Sequence, residues 1–104
     1  MVQAACQWSE HEFWDGALNQ VYEDLLEFTA RKEADDDHYE QNQLTDPLRK
    51  MQRTWIAFRD ATCGFALAGA KPFGSASGPV ESRCMMRETA RQYFQLQNIA
   101  GGYR

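Results

Sequence analysis

The 104-residue sequence predicts an all-α fold, a small bundle of about three helices with one long N-terminal helix and two shorter ones. Three observations carry that expectation. Apolar residues recur at helical spacing in three segments. No run alternates apolar and polar residues for long enough to make a useful strand. The breaks between segments are rich in glycine, proline or charge. A chain of this length has room for one domain with one core, expected to span 1–104.

In the first segment Trp14, Leu18, Val21, Leu25 and Phe28 fall at steps of 4, 3, 4 and 3, one face of a helix. Ser9 is the expected N-cap, with Glu12 completing a capping box three residues on. The pattern fades through Arg31, Lys32 and Glu33 into the acidic run that follows, as a solvated extension or a frayed end. The second helix is expected to begin at Asp46-Pro47, where Asp accepts from orphan N–H groups and Pro lacks one. Leu48, Met51, Trp55, Phe58 and Thr62 make its core stripe, and Gly64 and Gly69 loosen its end. Residues 69–78 read as a loop, after which Pro79 opens a third helix carrying Val80, Cys84, Met86, Ala90, Tyr93 and Leu96. Gly101 and Gly102 end it.

Apolar residues make up 43% of the chain and charged residues 25%, a globular composition that argues against disorder. The acids concentrate early. Twelve of fifteen lie before Pro47, against only Arg31 and Lys32 among the bases there, and this does not favour nucleic acid as a partner. No stretch approaches the roughly 20 apolar residues of a membrane helix. The opening Val2–Cys6 reads as the tail of a removed signal peptide, which makes the protein periplasmic or secreted. Cys6, Cys63 and Cys84 form an odd set, leaving a free thiol, an intermolecular bridge or a missing partner as alternatives.

Chemistry-bearing constellations are sparse. His11 and Asp15 stand four apart, but two ligands do not make a metal site, and His38 beside Asp35, Asp36 and Asp37 reads as a solvated charge run. Ser75 and Ser77 lie in no nucleophile elbow. The expectation is a protein that is not an enzyme and uses no cofactor or metal.

The most distinctive run is Leu48-Arg49, then Gln52, Trp55, Arg59-Asp60 and Cys63, a Gly/Ser-rich loop, Cys84, Thr89, Arg91 and Leu96. It follows Cys6, Asp15, Leu18-Asn19 and Tyr22 on the first helix. This pattern resembles the LprI-type lysozyme inhibitor N-terminal domain family, small secreted or periplasmic bacterial domains, across nearly the whole chain. The family commonly carries a further cysteine upstream of the position of Cys6, so the resemblance implies that Cys6 has lost its partner or pairs differently here.

Cys63 and Cys84 flank the Gly-rich loop and are the expected disulfide, worth on the order of 3 kcal/mol if formed. Trp55 is expected as a core anchor, and Gln52, Arg59 and Asp60 as a structural polar network. Arg59 and Asp60, being adjacent, are expected not to pair simply with each other, one of them tying the second helix to a neighbour. The resemblance implies an extracytoplasmic binding protein, a lysozyme (muramidase) inhibitor that occludes the enzyme's cleft. Lys71, Phe73 and Ser75 of the loop are the candidate contacts. The alternative is a structural module of the bacterial envelope that docks on another protein or self-associates. The partner is thus a lysozyme or another envelope protein, met by a monomer or a dimer.

Overall fold

The computed structural model describes residues 2–70 and 77–102, and side chains over 9–70 and 78–102. Three helices run α1 (Val2–Asp35), α2 (Thr45–Ala70) and α3 (Ser77–Gly102), with no strand among the described residues. The expected all-α architecture is present. The molecule is a rod, 57 × 21 × 16 Å, with a radius of gyration of 16.9 Å where a compact chain of this size would have about 13 Å.

The helix order follows from pairings at known places. Trp14 of α1 stacks with Tyr93 of α3, Gln52 of α2 bonds Gln92 of α3, and Thr29 of α1 meets Thr45 of α2. The chain therefore runs up, down and up, with α3 between the other two. α1 packs along α3 over much of its length, whereas α1 and α2 meet little. The core lies mainly between α1 and α3. Leu18, Val21 and Leu25 close on Leu96 and Ala100, and Leu48, Met51 and Trp55 of α2 lean against them. Each fully buried leucine contributes about 1.5–3 kcal/mol through removal from water.

Several boundaries differ from the sequence expectation. α1 begins at Val2, so Ser9 lies inside the helix and caps nothing. The preceding residues include good helix formers and no Gly or Pro to stop it. α2 starts at Thr45 rather than at the Asp46-Pro47 pair, and its capping acceptor comes from another helix. The Glu33 carboxylate accepts from the N–H groups of Leu44 and Thr45, both at 2.8 Å, and from the Thr45 hydroxyl at 2.9 Å. The intervening turn needs one left-handed residue, supplied by Asn42 at φ 66°. Gly64 and Gly69 do not loosen α2, which runs on to Ala70 because Cys63 and Ala70 are both buried against its neighbours. α3 starts at Ser77, two residues before Pro79, which shortens the connection to 71–76.

Phe58 is the clearest correction. It was expected in the α2 core stripe, yet it is 62% exposed. The buried line of α2 is Thr45, Gln52, Cys63 and Ala70, turned away from Phe58. With α2 packed chiefly on one neighbour, a narrow seam of small and polar groups suffices, and the side of α2 that faces solvent keeps its phenylalanine.

Candidate functional site

The hairpin of α2 and α3 is built on two buried cross-links. Near its middle the Gln92 side-chain amide donates to the Gln52 carbonyl oxygen at 3.1 Å, a closed pair away from water. Further along, Cys63 and Cys84 form a disulfide with Cα atoms 5.6 Å apart, both cysteines almost fully buried. The expected bridge is therefore present. Ala70, the end of α2, lies seven positions beyond Cys63, and Ser77, the start of α3, seven positions before Cys84. At 1.5 Å per residue, about 10 Å of each helix projects past the bridge. The connection 71–76 thus leaves from the end of a latched two-helix stalk, and not from the bridge itself.

Lys71, Phe73 and Ser75, the candidate contact residues, lie outside the described residues. The structural motif is described throughout. Trp55 is half-buried against the core, and the Arg59 guanidinium carbon sits 5.0 Å from its ring centroid, a cation–π contact. Arg59 and Asp60 do pair: Nε and Nη2 of Arg59 reach Oδ1 of Asp60 at 3.1 and 3.0 Å. Adjacency does not prevent this, because the long arginine stem lies over Trp55 and turns its head back, leaving that side chain 13% exposed and Asp60 57% exposed. Arg59 also acts on α1. Burial lowers the pKa of His11 below that of an ordinary imidazole; Asp15 opposes the shift, Arg59 reinforces it and Glu12 opposes it. That influence is a repulsion between the guanidinium and a protonated imidazole, which does not hold α2 to α1.

At the other end of the rod, partial burial raises the Glu33 carboxyl. The bonds from Thr45, Leu44 and Asn42 together outweigh it and leave the pKa below the ordinary glutamate value. Asp36 accepts from the backbone and ring of His38 at 2.9 and 2.8 Å and pairs with Lys32 at 3.3 Å. These bonds knit the acidic run into a turn, and no group of three or more His, Cys, Asp or Glu among the described residues could hold a metal ion.

Sequence reasoning missed two surfaces. Trp14 is the hub of a four-ring cluster, with Phe13, Tyr93 and Phe94 at centroid distances of 5.4, 5.5 and 5.5 Å. Phe13 and Phe94 remain largely exposed. On α2, Phe58 and Phe65 point to water, Phe65 at 83%. For Phe13 and Phe94 the available signal was phase, since each sits one residue off an apolar stripe, whereas Phe65, seven residues after Phe58, continues the stripe expected to be buried and gave no such signal.

A long helix rich in acids, carrying a disulfide-latched helical hairpin, defines the molecule as a small extended all-helical domain of the disulfide-stabilised kind. The chain belongs to the lysozyme inhibitor LprI family, whose profile matches residues 1–96. No curated protein and no solved structure matches it. No described helix is long and apolar enough to cross a membrane.

Proposed function

We propose that this protein is a single-domain, extracytoplasmic lysozyme inhibitor that blocks a muramidase by setting the 71–76 connection into the enzyme's cleft. Membership of the lysozyme inhibitor family over residues 1–96 carries the reading. Three features support it. A buried disulfide suits an oxidising compartment. The latched stalk restricts the freedom of the connection at its root, which lowers the entropy cost of docking. The stretch of α1 from Val2 to Ala30 bears six acids and no lysine or arginine, a field that would draw in a basic enzyme. In this reading Lys71 approaches the paired carboxylates that glycoside hydrolysis needs, Phe73 fills a sugar subsite and Ser75 supplies hydrogen bonds. The inhibitor needs no cofactor.

The test is lysis of bacterial cell walls by c-type and g-type lysozymes, with and without equimolar oxidised protein at low salt. Inhibition is expected, weakening as salt rises and falling sharply in the Lys71→Ala/Phe73→Ala double variant. Unchanged inhibition in that variant removes the connection from the mechanism. No inhibition of either enzyme hands the protein to the second reading, an envelope docking module, which the exposed Phe58 and Phe65 favour.

A further inference from the structure

From Ala57 to Ala68 the outward side of α2 is largely apolar, with Asp60, paired to Arg59, at its edge. Ala57, Phe58, Ala61, Gly64, Phe65 and Ala68 are all exposed there, opposite the line that packs on α3, and 61–70 contains no charged residue at all. Their spacing is that of a helix-packing seam. Ala57, Ala61, Gly64 and Ala68 advance by 4, 3 and 4, and Phe58 and Phe65 stand seven apart beside them. A Cβ added at Gly64 would meet nothing within 4 Å, so no described residue covers this position of the seam. Chains of mean hydropathy −0.65 do not ordinarily leave two phenylalanines 62% and 83% exposed on one such strip.

We propose that this face is a two-fold interface between two copies of this chain, with the α2 helices antiparallel about an axis between Ala61 and Thr62. The two phenylalanines are symmetric about that axis, and the line of small residues, centred between Thr62 and Cys63, falls one residue, about 1.5 Å, from it. Phe58 of each copy lies opposite Phe65 of the other, giving two aromatic pairs on either side of a centre of small residues where the backbones approach. Charge favours a second copy as the occupant. The chain carries −4, and its acids lie mostly on α1, which meets α2 little because α3 stands between them. Pairing through α2 leaves the Arg59–Asp60 ion pair at the rim of the seam and keeps the two acidic helices on the outer flanks of the dimer. The area points to a weak association. At about 150–250 Å² per aromatic side chain, the exposed parts of Phe58 and Phe65 offer roughly 220–360 Å² per copy. With the alanines, the total over both copies is about 600–900 Å², under the roughly 1,000 Å² of a tight complex and consistent with micromolar dissociation. The antiparallel arrangement sends the two 71–76 connections to opposite ends, so the proposal does not depend on the inhibitory reading.

Sedimentation velocity over about 10 μM to 1 mM, a range that spans the expected dissociation constant, tests it on the full chain. Every sample carries Cys6→Ser, so that no covalent dimer through that residue can stand in for the face. The parent protein is expected to pass from monomer to dimer across this range. Phe58→Arg and Phe65→Asp, both at exposed positions, are each expected to stay monomeric with unchanged helical content and melting temperature. At low salt the Phe58→Arg/Phe65→Asp double variant is expected to associate more than either single variant, though less than the parent, because the antiparallel register brings each arginine to the other copy's aspartate. A parent that stays monomeric throughout overturns the proposal and gives the face to a foreign partner. A dimer that survives both single variants overturns it as well.

Discussion

Replacing Cys63 and Cys84 together by alanine removes the latch of the α2–α3 hairpin while leaving both helices chemically able to form. The bridge spans 21 residues in sequence. Loop-closure entropy of −2.1 − 1.5R ln n then gives about 11 cal/mol/K, or about 3.3 kcal/mol at 25 °C, gained by the unfolded chain on opening. Both sulfurs are buried, so the alanine pair also loses packing contacts and the figure is closer to a floor. Against a total stability of about 5–15 kcal/mol for a domain, this is a large fraction, and it corresponds to a melting temperature lower by on the order of 15–20 °C. Urea denaturation followed by far-UV circular dichroism, comparing oxidised parent with the double variant, reads the difference directly. Amide exchange gives the local counterpart: the turns beyond the bridge, 64–70 and 77–83, should lose protection before the α1–α3 core does, since Gln52–Gln92 still holds the hairpin nearer its middle. A loss under about 1 kcal/mol, or protection unchanged beyond the bridge, would refute the reasoning, because the seam between α2 and α3 would then hold the hairpin without its covalent link.

Leu96 is fully buried between the helices, and Leu96→Ala should cost about 2–5 kcal/mol through transfer and cavity terms, measured by the same urea titration. At the glutamine pair, Gln52→Leu or Gln92→Leu alone should cost about 1–3 kcal/mol by stranding a buried amide. The double Leu variant should recover much of that loss, and a double-mutant cycle with no coupling would contradict the observed bond. Glu33 titrates lower in the folded chain than in the unfolded one. Its contribution is therefore complete above pH 4.5, the ordinary glutamate value, and disappears as pH falls through the lowered folded value. Urea midpoints of parent and Glu33→Gln should accordingly differ at pH 7 and converge once the pH lies below the lowered folded value, whereas a gap that persists in acid would mean the carboxylate charge is not what caps α2.

Much of this architecture was legible from spacing. The stripe Leu18, Val21, Leu25 is the α1 side of the core, and Cys63 and Cys84 are joined across the connection they flank. What eluded sequence reasoning has a shared physical origin. A stripe is read on the assumption that large apolar side chains mark the buried side, but α3 lies between two helices and buries Ser82, Glu88, Thr89 and Gln92 along with Leu96. Glu88 is tolerable there because Arg91 and Arg87 stand at 3.2 and 3.6 Å. The same assumption placed Phe58 inward, although the α2 seam is made of Thr45, Gln52, Cys63 and Ala70.

The contact reading rested on Lys71, Phe73 and Ser75; the exposed rings on α1 and α3 differ from the core by one residue of phase, and those on α2 lie in phase with a stripe that the packing turns outward. The capping of α2 was equally hidden. Asp46 stood in the expected place, yet the acceptor is Glu33, twelve residues before the Thr45 N–H it serves. Local sequence determines which segments can be helical, where the cysteines stand and how charge divides along the chain, because those properties depend on neighbours a few residues away. Which face each helix buries, which carboxylate meets which N–H, and which phenylalanines are left in water depend on how three rods lie against one another, and only the packed molecule decides them.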